Sequence, residues 1–242
     1  MNCRKTTFAG LIALSALATV SALAQTCPEP LQSARRLVLV TAESMMTSAA
    51  TMQLFERASP TEAWHPLGPA EPALLGSGGM AWGIGFHQFG QTGEPLKVEG
   101  DKRTPAGVYR IGQSFGFTPS EQLGYIKITE DTVCVDDPAS PAYNTITSRA
   151  AIGSRTHREN MHTNPRYRRG LLVNYPTDAA ARAGSCIFIH VQRSPTSPTL
   201  GCVALPEARI VALQDFAEPG AVLAVLPKAA LGRLSGCLPQ VN

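Results

Sequence analysis

Charge and aromatic side chains are scarce in this chain of 242 residues: 16% are Asp, Glu, Lys or Arg, and 6% are Phe, Trp or Tyr. The formal net charge is only +3, and two of the positives, Arg4 and Lys5, sit at the extreme N-terminus. A nearly neutral body has no long-range hold on a polyanion, which argues against nucleic-acid binding. Beyond the N-terminal region no run is long and apolar enough to span a bilayer, which takes about 20 residues. CxxC spacing and paired histidines are both missing, so no metal site is expected. There is no internal repeat and no low-complexity tract. What is present is ordinary globular material: 44% hydrophobic residues, with 21 Gly and 19 Pro. That apolar fraction excludes wholesale disorder, and the length suffices to bury a core without help from cysteines.

The first residues read as an export signal. Arg4 and Lys5 precede an uncharged apolar run, Phe8 to Leu23, that ends in Ala22-Leu23-Ala24, a small-x-small cleavage pattern. Residues 1–24 are therefore expected to be removed. Residues 25–242 are expected to form one domain, periplasmic or secreted, with no stable membrane insertion after cleavage. Five cysteines then remain: Cys27, Cys134, Cys186, Cys202 and Cys237. Oxidising conditions favour pairing, and an odd number leaves one thiol over. If Cys202 is that thiol, three pairings are open to the others. Cys27–Cys237 with Cys134–Cys186 is preferred, because it pins the two mature termini together.

Short strand patterns separated by turn residues dominate the body. Arg36 to Thr41 is a continuous apolar strand, and Met52 to Arg57 alternates as a half-buried strand does. Residues 59–72 hold four prolines and read as loop, and residues 76–93 as a glycine-rich loop or irregular hairpin. Further strands are expected over 107–111, 125–128 and 133–135. Residues 170–175 and 186–191 have the apolar, β-branched character of central strands. Pro206-Glu207 opens a helix carrying Ile210, Leu213 and Phe216, and Pro219-Gly220 closes it. A shorter helix is expected near Arg158 to Asn164. The fold class is mostly β with one or two peripheral helices.

The chemistry gathers near the C-terminal end. His190 ends a buried strand, a loop follows, and Gly201-Cys202 opens the next strand, Val203-Ala204-Leu205. A thiol beside an imidazole can lose its proton to it, and the thiolate is the nucleophile. Gly201 allows a carbonyl to approach closely, and amides near Cys202 are candidates to hold an oxyanion.

Two segments carry a resemblance. Ser185-Cys186-Ile187-Phe188-Ile189-His190 with Thr199-Leu200-Gly201-Cys202-Val203-Ala204, and Lys97 through Tyr109 with Gly100-Asp101-Lys102-Arg103-Thr104-Pro105 at its centre, resemble the YkuD-type L,D-transpeptidase catalytic domain. The resemblance runs from about Arg36 to Pro227. It implies a β-sandwich or barrel-like catalytic fold, with Cys202 as nucleophile, His190 as base, Gly201 in the catalytic motif beside the cysteine, and no cofactor or metal. It further implies peptidoglycan stem peptides as substrate, cut and transferred through a thioester; protein partners are not indicated. Three departures stand out. Leu200 replaces the histidine usual before Gly-Cys, no arginine follows Cys202 closely, and the 12 positions from His190 to Cys202 are fewer than is typical.

Candidate substrate contacts are Thr199 in the motif, Arg193 just past His190, and Asn174 near a strand end. The Gly100 to Pro105 segment reads as a structural turn. Glu159 and His162, among Arg155, Arg158, Arg166, Arg168 and Arg169, read as a solvated face, with contact to an anionic wall polymer as the minority reading. Two other function classes compete with the enzyme. A wall-binding module that has lost catalysis is favoured by Leu200 and opposed by the intact His190 and Cys202. The other is an unrelated thiol amidase.

Overall fold

The computed structural model describes residues 27–217 and 220–240, so the segment read as an export signal lies outside the described residues. Its strands, in chain order, are β1 (Arg36–Ala42), β2 (Ala49–Glu56), β3 (His65–Pro66), β4 (Glu71–Leu74), β5 (Met80–Trp82), β6 (Thr104–Gly116) and β7 (Ile126–Lys127). They continue with β8 (Thr132–Val135), β9 (Ile146–Ser148), β10 (Arg158–Asn160), β11 (Arg169–Val173), β12 (Phe188–Val191), β13 (Val203–Leu205) and β14 (Val222–Pro227). Two α-helices, α1 (Glu29–Ser33) and α2 (Glu207–Phe216), accompany them.

Hydrogen-bonded neighbours run β1–β14–β6–β11–β12–β13–β4–β2, and β2 pairs back onto β1. The ring is therefore closed into a barrel-like sheet, which leaves these strands no open edge. β3 extends β2, while β5 and β7 pair alongside β6. A separate three-stranded sheet has the order β10–β8–β9.

β1 and β14 pair in parallel, and apart from Arg36 every residue of both is buried. Strands covered on both faces are mostly apolar, and the one buried polar side chain here, Thr41, shares a hydrogen bond with the Thr51 hydroxyl at 3.2 Å. β6 is 13 residues long and pairs with both β14 and β11, so it joins two sides of the ring. Gly107 makes this packing possible: its φ is +150°, and a Cβ there would lie 2.4 Å from the Tyr109 hydroxyl and 2.5 Å from the Phe86 ring. The apolar face of α2 is set by buried Ile210 and Leu213. Gln214 anchors the same face, its amide donating to the carbonyls of Phe115 and Gly170, both at 3.0 Å.

A second apolar cluster lies apart from the main core and includes Phe115, Cys134, Met161, Tyr167, Cys186, Phe188 and Cys202. Phe115, Tyr167 and Phe188 meet edge to face, with centroids 5.3 to 6.0 Å apart. This cluster seats the small sheet against β6 and β12. The Cys134–Cys186 disulfide joins the same two parts covalently, and Cys27–Cys237 is the other disulfide. Cys202 is a buried free thiol. No helix among the described residues is long and apolar enough to cross a membrane.

One expected element is of a different kind. Arg158 to Asn164 forms no α-helix; Arg158–Asn160 is β10, antiparallel to β8 with Glu159 opposite Cys134. Pro165 disfavours a helical Asn164, and the segment has no apolar stripe to bury, so the backbone pairs with β8 instead. A 3₁₀ turn, Pro165–Arg168, follows, with the Asn164 side chain accepting from the Arg166 N–H. Residues 71–74 and 80–82 also become strands, because the ring and β6 give their backbone groups partners.

Candidate active site

β12 and β13 run parallel, with Ile189 opposite Val203 and His190 opposite Ala204. Cys202 immediately precedes β13 and so comes level with Phe188, whose N–H donates to the Cys202 Sγ at 3.4 Å. His190 lies two residues beyond Phe188 on β12, on the same face of the strand. Both side chains line one cleft of about 440 Å³.

Three features fix the thiol. Gly201 has φ +142°, a conformation that L side chains rarely adopt, and a Cβ there would press on the Arg103 carbonyl at 3.2 Å. Thr199 Oγ1 donates to the Cys202 carbonyl at 2.7 Å and accepts from the Gly201 N–H at 3.0 Å. Thr104 Oγ1 donates to the same carbonyl at 3.1 Å and accepts from the Gly76 N–H at 2.9 Å. The Gly100 to Pro105 segment, remote in sequence, therefore braces the nucleophile loop from below. Sγ itself donates to the Cys186 carbonyl at 3.5 Å. Cys186 is left-handed at φ +54° and is held by its disulfide and by donating its N–H to Asn144 Oδ1 at 2.9 Å.

His190 is held equally firmly. Its Nδ1 lies 2.9 Å from the Val191 carbonyl. A carbonyl only accepts, so Nδ1 carries the proton and Nε2 keeps its lone pair. Tyr167 packs edge to face on the imidazole, with centroids 5.4 Å apart. Burial lowers the imidazole pKa to about 4, against the Val191 hydrogen bond, which raises it. Burial likewise pushes the Cys202 thiol up to about 12, although the Phe188 N–H and the nearby Arg166 and Lys97 charges favour the thiolate. The resting pair is thus a neutral thiol and a neutral imidazole.

Residues 72–225 match the YkuD family, the L,D-transpeptidase catalytic domain. The chain belongs to that family. No curated protein matches it. Among solved structures, the crystal structure of Mycobacterium tuberculosis L,D-transpeptidase 1 is similar at 11% identity and a TM-score of 0.34, over 79% of this chain and 62% of that one. The chain therefore spans less than two thirds of that protein's length.

Within this YkuD domain the sequence-derived candidates separate into two groups. Cys202, His190 and Gly201 share the cleft. Thr199 is buried, and its hydroxyl is committed to the nucleophile loop, so it positions the loop rather than facing a ligand. Arg193 is exposed and does not line the cleft. Asn174 lies elsewhere on the barrel, where its Oδ1 overhangs Gly112 and its N–H donates to the Arg110 carbonyl. Neither position supports the substrate contact expected of these two residues. The cleft wall instead carries Asp136, Arg158, Glu159, Arg166 and Tyr167 from the small sheet and the turn after it, facing Lys97, Glu99 and Lys102. The arginine-rich segment at 155–169 therefore does more than form a solvated face. Its density of charge was the available signal, but only the β8–β10 pairing brings part of it to the cleft. Leu200, 70% exposed, sits at the cleft rim.

Proposed function

We propose that this chain is a cysteine acyltransferase or peptidase of peptidoglycan stem peptides, working outside the cytoplasm through a thioester on Cys202. The observation that carries this reading is that one cleft is lined by both the free Cys202 thiol and an imidazole whose Nε2 lone pair is kept available. The disulfides support an oxidising compartment.

As the carbonyl of the third-position diamino acid arrives, the thiol proton passes to His190 Nε2 and the Sγ–C bond forms. The Gly201 N–H is occupied by Thr199, so the oxyanion falls to the Cys202 N–H, the nucleophile's own amide. The tetrahedral intermediate collapses with cleavage of the C–N bond, and His190 returns its proton to the departing D-alanine amine. An acceptor amine then attacks the thioester to give a cross-link, or water does so to give trimming. A neutral resting pair suits this sequence, because proton transfer and attack occur together rather than from a preformed thiolate.

The test is intact-mass measurement of the mature protein with purified disaccharide tetrapeptides, with Cys202→Ala as control and a carbapenem as a parallel acylating probe. A Cys202-dependent adduct with D-alanine released is expected. Folded protein with a free thiol but neither adduct nor product would transfer the reading to a wall-binding module.

A further inference from the structure

Thr104 stands 98 positions before Cys202 and does not line the cleft, yet it reaches the residue that carries the chemistry. It opens β6 and is 1% exposed. Its Oγ1 donates to the Cys202 carbonyl at 3.1 Å, and Thr199 Oγ1 donates to the same oxygen at 2.7 Å. A carbonyl oxygen has two lone pairs, and here both are taken. Neither hydroxyl is free to turn away. Thr104 Oγ1 accepts from the Gly76 N–H at 2.9 Å, and Thr199 Oγ1 accepts from the Gly201 N–H at 3.0 Å. Each hydroxyl proton is thereby left to point at the Cys202 oxygen.

One turn anchors both threonines. The Leu75 carbonyl accepts from the Thr199 N–H at 2.8 Å, the Ser77 N–H donates to the Thr199 carbonyl at 2.9 Å, and Gly76 between them serves Thr104. A Cβ on Gly76 would lie 2.2 Å from the Lys102 carbonyl, so only glycine lets this turn come so close to the start of β6. The consequence falls on the peptide planes around the nucleophile. The plane before Gly201 is held through its N–H, and the plane after Cys202 through its carbonyl. The plane between them carries the Cys202 N–H, which has no acceptor among the described residues. One donor would satisfy a buried carbonyl. Two, each oriented by an amide, fix the direction of the turn as well.

We propose that Thr104 is a positioning residue for acyl transfer: together with Thr199 it clamps the Cys202 carbonyl so that the unpaired Cys202 N–H faces the oxyanion formed on the attacked carbonyl. This rests on the thioester reaction proposed above. In that step Sγ bonds to the acyl carbon, the thiol proton passes to His190 Nε2, and the carbonyl π pair moves onto oxygen, where the Cys202 N–H receives it. Thr104 touches none of the reacting atoms. Its effect falls on the oxyanion and not on the thiol, so it distinguishes two reactions of one sulfur. Addition to an ester carbonyl builds an oxyanion. Displacement of iodide from iodoacetamide builds none.

The experiment treats the protein with p-nitrophenyl acetate and, separately, with iodoacetamide, and follows modification of Cys202 by intact mass, with Cys202→Ala as control. Thr104→Val keeps the side-chain shape and removes the hydroxyl; Thr104→Ser keeps the hydroxyl. Acetylation is expected to slow about 10- to 100-fold in Thr104→Val and to recover in Thr104→Ser. The alkylation rate and its pH profile should stay unchanged in both, which also reports that the buried thiol keeps its surroundings. Thr199→Val should show the same split, because it acts on the same oxygen. Acetylation at full rate in Thr104→Val would overturn the proposal. So would a loss shared equally by both reactions, or faster alkylation, either of which would assign Thr104 to the packing of the loop alone. The ester probe does not depend on the stem peptide. If the variants behave as expected and no disaccharide tetrapeptide acylates Cys202, the positioning role stands and the peptidoglycan reading fails. If tetrapeptides acylate Thr104→Val as fast as the unaltered protein, the positioning role alone fails.

Discussion

Burial sets the resting charges of the catalytic pair, with His190 lowered to about 4 and Cys202 raised to about 12. Carboxamidomethylation of Cys202 should therefore accelerate about tenfold per pH unit from about pH 6 to beyond pH 10, following the thiolate fraction. A preformed thiolate–imidazolium pair would give a flat rate across neutral pH, and intact-mass kinetics separate the two. The same imidazole makes the fold sensitive to acid. The native state takes up this proton only near pH 4, whereas the unfolded state takes it up near 6.5. As pH falls through that window the unfolded state binds more protons, and stability drops by up to about 3 kcal/mol. Urea titrations of the unaltered protein and His190→Gln, at pH 7 and pH 4.5, should show a smaller acid loss in the variant. An identical loss would mean that His190 is not responsible. At this scale Cys202, His190 and Gly201 were legible, because a glycine–cysteine pair at a strand start and a histidine at a strand end announce themselves. Nearness to His190 points to Arg193 and a strand end points to Asn174, yet the cleft wall comes from a segment 24 to 31 positions before His190, Glu159 to Arg166.

At the scale of elements, strands buried on both faces, such as β1 and β12, were legible because continuous apolar runs have few other readings. Strand partners were not. Nothing in the Glu71–Leu74 or Met80–Trp82 stretches announces that the ring or β6 will complete their hydrogen bonds. β10 was hidden for the same reason, since a polar tripeptide becomes a strand only when β8 is beside it. That small sheet is held to the barrel by the Cys134–Cys186 disulfide, and the Cys186 carbonyl receives the Cys202 thiol. Replacing both cysteines by serine should leave the barrel folded but loosen the cleft wall and the left-handed Cys186 position. Acylation of Cys202 is expected to slow on the order of 10- to 100-fold, the cost of a misplacement near 1 Å. Single-turnover acylation measured beside far-ultraviolet circular dichroism checks this; an unchanged rate would show that the aromatic packing of Phe115, Tyr167 and Phe188 suffices.

Across the whole molecule, the two ends of the described chain are tied together at a distance from the chemistry. Cys27 and Cys237 are separated by 210 positions, and neither lines the catalytic cleft. Noncovalent contacts repeat the tie. Arg57 donates to the carbonyls of Leu31 and Ala34 in and after α1, its guanidinium lies 4.1 Å from the Trp64 ring centroid, and Trp64 Nε1 donates to the Cys237 carbonyl at 3.0 Å. Because these contacts position both ends without the S–S bond, its removal need not alter the native geometry. Its effect falls on the unfolded chain, which regains the freedom of a very long loop. On the chain-entropy account a loop of this length is worth about 5 kcal/mol, and native disulfides lost from small domains cost about 2 to 5 kcal/mol. The double variant Cys27→Ser, Cys237→Ser should therefore melt on the order of 10 °C lower while acylating Cys202 at an unchanged rate at 25 °C. A melting point that does not move would show that the disulfide does not stabilise by restraining the unfolded chain, and a lost rate would show that the terminal tie reaches the cleft through the barrel wall.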